Sequence, residues 1–414
     1  MERRRTAIPI PMNLAKTVVF IVSVLSVWQA LAALPGTPAR AVPIWSKEVL
    51  AGRENPRTGG TPHILPLDTN RAGVAFLSDG QLLVYEIDHD AGQLSSRISP
   101  EISSPFRLRL SLLDANSGKL AVNKDWGTRV HDSAIQVTAG GVLVKTGEIA
   151  RLYTPDFAKS HDLTVPPENG SYLVTSVSPT GQTIMTNRIS QKLNVSHFDV
   201  LDASTLKVRY SWNQSPPLYH HYSISDRRIA AVDFNNHSIV VSEFGSNKWT
   251  TVGEPSGLCA SMNMPTLYND QQLVYGCDRL IATSTDGHVL MTESYPSGDT
   301  PSGKTVVAQR GRFIAVSLDT KEVKKHLLSE PSVRITATHI VVYDLILKKQ
   351  ILTVNVNPLP KNDYAFALSA DGSKLAVLSD RKVSVYSVQA TPSSARASGC
   401  RGFPRPYSCP PRSS

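Results

Sequence analysis

The chain has 414 residues, 41% of them hydrophobic and 19% charged, an ordinary globular composition with more than enough length for a sizeable core. Its net charge of +9 does not make it a nucleic-acid binder: residues 1–32 contribute three of those charges and residues 390–414 four, so the body between them carries only +2. A nearly neutral body lacks the basic footprint that phosphate binding needs. Aromatics are sparse at 7%, so the core must lean on Val, Ile, Leu and Ala, and β-branched runs favour strands.

In chain order the first element is a leader. "MERRR" and Lys16 make a positive n-region, "TVVFIVSVLSVWQAL" (17–31) an apolar h-region of 15 residues, and Ala30, Leu31 and Ala32 an A-x-A cleavage site. The run is short of the roughly 20 residues a membrane helix needs, so residues 1–32 read as a signal peptide, cleaved near Ala32 with no stable membrane span left behind. The expected destination is secreted or periplasmic. Next comes "VPIWSKEVLAG" (42–52), an apolar run with no partner nearby in sequence.

From there a template recurs: apolar run A, a tight turn, run B, a link, run C, a polar turn, run D. The copies are "GVAFLSDGQLLVYEI" with "FRLRLSLLDANSGKLAVNKDW" (73–126), "SAIQVTAGGVLVKTGEIARLYTPDFAKSHDLTV" (133–165), and "YLVTSVSPTGQTIMTN" with "VSHFDVLDASTLKVRYSW" (172–212). Then come "HYSISDRRIAAVDFNNHSIVVSEFGSNKWTTV" (221–252), "PTLYNDQQLVYGCDRLIATSTDGHVLMTES" (265–294), and "TVVAQRGRFIAVSL" with "ATHIVVYDLILKKQILTV" (305–354). The last, "YAFALSADGSKLAVLSDRKVSVYSV" (364–388), has runs A, B and C but no D, and a Pro/Ser/Arg-rich tail expected to be disordered follows at 390–414. Copies start at 73, 133, 172, 221, 265, 305 and 364. The shorter spacings match the period of about 40–50 residues for a four-stranded propeller blade, and insertions between B and C account for the two longest.

Each part of the template has a physical reason. Tight A–B reversals such as "SDGQ", "SPTGQ" and "SADGS" need a residue at φ > 0, which Gly supplies. Runs A and B are the more continuously apolar, as strands buried on both faces should be. The "h-h-S-P/A-D/T-G-x-x-h-h-h" A–B hairpin and the "h-x-h-h-D-x-x-T/S-G/L-K" C–D hairpin resemble those of the WD40/YVTN-like β-propellers over most of the mature chain. The resemblance implies an all-β, seven-bladed propeller over residues 42–389, built of four-stranded antiparallel blades. Residues 42–52 are expected to supply the missing fourth strand of the last blade beside 382–388, closing the ring and covering an open edge. No copy ends in Trp-Asp, so the hydrogen-bond network of true WD40 repeats is not expected.

In propellers the D–A and B–C connections share one face, the top, and the A–B and C–D turns the other. Irregular sequence concentrates at the top. Two B–C insertions stand out, 88–105 in blade 1, acidic at Asp88 and Asp90, and 319–336 in blade 6, with Lys324 and Lys325 in its basic stretch. Blades 6 and 1 both border blade 7, so these insertions are expected to form a recognition surface. His131, Tyr219 and His220 near the starts of strands A, and Asp363 before the last blade, complete the candidate top-face set. Cys259 and Cys277 fall in the loop entering blade 5 and at the end of its run B, and an exported chain permits the disulfide between them. Cys400 and Cys409 can close a small loop in the tail.

The sequence carries no G-x-S-x-G, G-x-G-x-x-G, H-E-x-x-H or C-x-x-C. His220 and His221 are adjacent, so on a strand they point to opposite faces and do not readily share a metal. No cofactor or metal is expected. The reading is an exported binding or scaffold module whose partner is a protein or an envelope-associated ligand. The alternative is an enzyme on the same fold, a lactonase-like hydrolase or quinoprotein-type dehydrogenase, which fold analogy alone supports.

Overall fold

The computed structural model describes residues 41–49, 71–89, 106–128, 133–147, 149–163, 171–190, 192–215, 222–233, 236, 238–246, 248–253, 263–276, 279–296, 298–324, 332–356, 365–379 and 381–388. Among these there is no helix. β1 (Pro43–Glu48) stands first and alone. Blade 1 is β2 (Arg71–Ser78), β3 (Gln81–His89), β4 (Phe106–Asp114) and β5 (Leu120–Thr128); blade 2 is β6 (Ser133–Thr138), β7 (Gly141–Thr146), β8 (Ile149–Tyr153) and β9 (Ser160–Leu163). Blade 3 is β10 (Ser171–Val177), β11 (Thr183–Ser190), β12 (Val195–Asp202) and β13 (Val208–Gln214); blade 4 is β14 (Tyr222–Ile224), β15 (Arg228–Asp233), β16 (Ser238–Glu243) and β17 (Thr250–Gly253). Blade 5 is β18 (Asn263–Asn269), β19 (Gln272–Gly276), β20 (Arg279–Ser284) and β21 (Val289–Ser294); blade 6 is β22 (Asp299–Val307), β23 (Phe313–Lys324), β24 (Ser332–Asp344) and β25 (Lys349–Asn355). β26 (Ala365–Leu368), β27 (Lys374–Ser379) and β28 (Lys382–Ser387) begin blade 7, and β1 completes it.

Each blade is a four-stranded antiparallel sheet in sequence order, and the seven stand in a closed ring. The first strand of every blade contacts the first strand of both neighbours, and the contact of β26 with β2 closes the circle. Burial grades outward along each blade. The second strand of blade 2, "GVLVKT", is buried at five of six positions, whereas the fourth strand of blade 3, "VRYSWNQ", is exposed or half-buried throughout. Strand alternation then divides every sheet between two interfaces. Leu82 and Val84 pack against blade 7 with Ala376, Val383 and Val385, while their neighbour Leu83 packs against blade 2 with Ile135 and Val142. Seven such clusters fill the seven interfaces. Each fully buried Leu, Ile or Val contributes about 1.5–3 kcal/mol through apolar burial.

The turn face is tied together by repetition. The residue just past the third strand donates its N–H to a carbonyl beside the A–B turn in six blades: Ala115 to Gly80 (2.9 Å), Ala203 to Gln182 (2.8 Å), Phe244 to Arg227 (3.0 Å), Thr285 to Gln271 (2.7 Å), Leu345 to Arg312 (2.9 Å) and Val388 to Ser373 (2.8 Å). Asp114, Asp202 and Asp344 cap their C–D turns identically, each Oδ1 accepting from the second and third amides beyond it at 2.8–3.1 Å. The fourth residue after each Asp turns to positive φ: Gly118 (69°), Leu206 (57°) and Lys348 (51°). Neighbouring A–B turns also join one another. Asp226 of blade 4 accepts from Ser178, Thr180 and Thr183 of blade 3 at 2.7–3.0 Å, and the amide of Asp371 in blade 7 donates to Asp79 of blade 1 at 3.0 Å.

The ring closes as the N-terminal run predicted. β1 lies antiparallel to β28, with Trp45 opposite Val385 and Glu48 opposite Lys382. Trp45 reaches across into blade 1, where its Nε1–H donates to Ala115 O at 2.9 Å. Its ring fills the space above Gly118, where a Cβ would come within 2.9 Å. Lys47 Nζ donates to Gly118 O at 3.1 Å beside it.

The structure departs from the sequence reading in blade 6. The stretch 319–336 was expected to be an irregular insertion, but β23 continues to Lys324 and β24 resumes at Ser332, so most of it is a projecting two-stranded ribbon. Its high charge disguised an alternating pattern: Lys321 and Val323 against Val333 and Ile335. The first strand of this blade also starts earlier, at Asp299 rather than 305, because a bulge between Pro301 and Thr305 interrupts its pattern.

Candidate functional site

Two of the sequence-predicted top-face residues fall in described strands. Asp88 lies near the upper end of β3 opposite Arg107, and Lys324 ends β23 opposite Ser332. Both backbone positions are on the top face, in the two blades that flank blade 7. Asp90, His131, Tyr219, His220, Lys325 and Asp363 lie outside the described residues, as do Cys259, Cys277, Cys400 and Cys409. The described part of the top face centres on the upper end of blade 6 and its border with blade 7.

At the root of the blade 6 ribbon, hydrophobic core gives way to buried polar rungs. Leu318 and Ile340 are fully buried; one step higher come Asp319 and His339. On the face toward blade 5, His339 Nε2 lies 2.7 Å from Asp299 Oδ2, and the Thr320 hydroxyl donates to Asp299 Oδ1 at 2.6 Å. The Asp299 side chain is only 5% exposed and that of His339 15%. On the face toward blade 7, the Thr338 hydroxyl donates to Asp319 Oδ1 at 2.7 Å, and the hydroxyls of Ser302 and Ser317 are hydrogen-bonded.

This set has the residue types of a nucleophile–His–acid relay but not its geometry. A relay needs the acid at one ring nitrogen and the nucleophile at the other. Here Thr320 Oγ1 approaches the same Nε2 that Asp299 holds, at 3.5 Å, while giving its proton to the carboxylate. The arrangement clamps three strands, β22, β23 and β24, at the level where the ribbon leaves the sheet. The sequence reading missed it because its members lie 21 and 40 residues apart. Only strand register brings them together.

Above the clamp no described strand flanks the ribbon. β22 begins opposite Thr320 and β25 ends opposite His339, whereas β23 and β24 go on pairing: Lys321 with Ile335, Glu322 with Arg334, Val323 with Val333, Lys324 with Ser332. Val323 is 55% and Ile335 40% exposed, and register puts both on one face with Lys321. Exposed Glu322 and Arg334 share the opposite face.

Beside the root, Asn355 of blade 6 and Ser379, Lys382, Ser384 and Tyr386 of blade 7 line a small open cleft. Burial raises the Tyr386 phenol above its ordinary range. Among the described residues no three His, Cys, Asp or Glu side chains come together in a way that would hold a metal ion. No helix among them is long and apolar enough to cross a membrane.

No family model matches the sequence, and no curated protein does. Solved structures do resemble it in fold. The chain aligns over 78% of its length with 90% of an oligogalacturonate lyase solved in complex with manganese, at 10% identity and a TM-score of 0.50. The Pan2 WD40 domain of Neurospora crassa matches over 79% of this chain and 92% of that one, at 13% identity and a TM-score of 0.47. Hsv2 of Kluyveromyces lactis matches over 75% and 91%, at 12% identity and a TM-score of 0.47. Such identities speak for architecture only. By its seven four-stranded blades in a closed ring, the chain is a seven-bladed β-propeller in fold.

Proposed function

We propose that this propeller is an exported binding module and that it engages a protein partner through the top face around blades 6, 7 and 1. The fold supports a scaffold or binding role in general terms, since a rigid ring that displays irregular connections on one face is suited to recognition. The observation that carries the finer reading is the blade 6 ribbon, which projects an exposed apolar pair beyond its own sheet. Export rests on the leader at 1–32, and the Cys259–Cys277 disulfide is part of the same proposal.

The test is a variant in which residues 322–334 are replaced by a two-residue Asn-Gly turn. Both forms are produced with the leader, cross-linked in the intact envelope and recovered. A partner joined to the unaltered protein and lost from the short-ribbon form supports the reading. A partner retained equally by both overturns it.

An enzymatic reading draws on one solved relative in fold, the lyase in complex with manganese. Elemental analysis of the purified mature protein discriminates the two, because stoichiometric manganese would favour catalysis over a pure scaffold.

A further inference from the structure

We infer that the ribbon binds by strand addition: β24, above Thr338, pairs with an extended partner segment that alternates acidic and apolar residues. The inference rests on the top-face binding role and specifies its mode. The first observation is the β24 edge above Thr338. No described strand lies beside β24 between Ser332 and Ala337, because β25 stops opposite His339. Such an edge presents a row of backbone donors and acceptors for another chain.

The second is the exposed apolar pair. A two-stranded ribbon is marginal alone, and a third strand with a shared apolar face stabilises it. Val323 and Ile335 offer that face, and a strand beside β24 would set every second side chain next to Ile335.

The third is charge, which selects both the edge and the partner. Among the described side chains of the ribbon, Lys321 and Arg334 stand against Glu322. On the polar face Arg334 belongs to β24 and Glu322 to β23. A strand added at the β24 edge therefore places its outward residues beside Arg334, where acids are favoured. A strand added at the β23 edge would meet Glu322 instead. Cross-strand pairs of opposite charge contribute roughly 0.2–1 kcal/mol each, and like charges oppose pairing.

The test uses the full mature chain and an acetylated, amidated seven-residue peptide alternating Glu and Val. Fluorescence anisotropy should show it binding about tenfold or more tighter than the matching Lys/Val peptide, and tighter than a Glu/Val peptide with a central Pro. Hydrogen exchange should slow at 332–337 when the Glu/Val peptide is present. Arg334→Gln, an exposed change that avoids setting two acids opposite each other at Glu322, should remove most of the preference between acidic and basic peptides. Equal binding of all three peptides, or protection confined to other blades, overturns strand addition. Protection at 332–337 that rises with protein concentration without peptide overturns it too, in favour of a second copy of the chain as occupant. If the peptides fail while envelope cross-linking still depends on the ribbon, the binding role stands and only this mode falls.

Discussion

On the turn face, six of seven blades make the same backbone hydrogen bond from the residue just past the third strand to the A–B turn. On the top face, the B–C connection ranges from two residues between β7 and β8 to the projecting ribbon between β23 and β24. The difference is one of mechanical coupling. Turn-face residues bond to the adjacent turn or the adjacent blade, so any change there is felt by two elements. The described ribbon residues above Thr320 pair strand to strand, and the clamp of Asp299, Thr320 and His339 sits at their root. A ring built this way can vary its top without loosening its base.

The strongest way to break the contrast is to reopen the ring. Deleting residues 43–48 leaves β28 as a bare edge and removes Trp45 from the interface of blades 7 and 1. The expected outcome is loss of cooperative unfolding and aggregation in solution, read by denaturant melts and light scattering. Trp45→Ala alone should cost about 3 kcal/mol, since it empties a half-buried site and unmakes the bond to Ala115.

Acid should undo the turn face next. Asp202 is held down to about 2 by the Ser204 hydroxyl and the Thr205 amide. Burial pushes the Asp371 carboxyl up, but the Ser373 amide and the Ser369 hydroxyl outweigh it and bring it to about 2. Burial likewise raises Asp344, and bonds from Arg312 and the amides of Leu347 and Ile346 more than offset it, leaving it below its ordinary range. Because these folded values lie below the unfolded value of about 3.9, their stabilisation is complete above that pH and lost as pH falls through the folded values. Stability should hold from neutrality to about pH 4 and fall between about 4 and 2. Hydrogen exchange should show turn-face amides opening before the ribbon root. Asp202→Asn should lower neutral stability and flatten the acid limb.

A single carboxylate tests the coupling between blades. Asp226→Ala leaves three hydroxyls of blade 3 without their acceptor and should cost about 3 kcal/mol. The contrasting change is the short-ribbon variant, which should shift unfolding free energy by no more than about 1 kcal/mol. A large loss there would mean that the ribbon is part of the core architecture rather than an appendage.

How much of this was legible in the sequence follows the same division. Repeats write themselves into sequence because turn chemistry is local: "LLDANSGKL" and "VLDASTLKV" marked the C–D reversals, although the Asp cap and the positive φ of Leu206 emerge only in the structure. The closing strand was legible because a blade with three runs leaves an edge that needs covering. The top was not. Asp299, Thr320 and His339 meet only through the register of three strands, and no spacing encodes that. Of the residues nominated for the top face, Asp88 and Lys324 fall in strands, while the histidines and Tyr219 lie outside the described residues. The ribbon itself was hidden because charge density was read as loop, although Val323, Val333 and Ile335 already alternated.

The smallest predicted effect isolates the repeat chemistry from everything else. The fourth residue after the capping Asp sits at φ 69° as Gly118 in blade 1 but at φ 51° as Lys348 in blade 6. Left-handed backbone costs a residue with a Cβ roughly 1–2 kcal/mol, whereas Gly adopts it freely. Lys348 is exposed, and its replacement removes little packing. Against the relief of strain stands the larger entropy a Gly loses on folding, about 0.5–1 kcal/mol. Lys348→Gly should therefore stabilise the protein by up to about 1 kcal/mol in denaturant melts. Gly118→Lys should do the reverse and more, because a Cβ there also meets the Trp45 ring. If Lys348→Gly destabilises instead, the turn in blade 6 is held by contacts of the lysine itself, and the equivalence of the C–D turns fails at that blade.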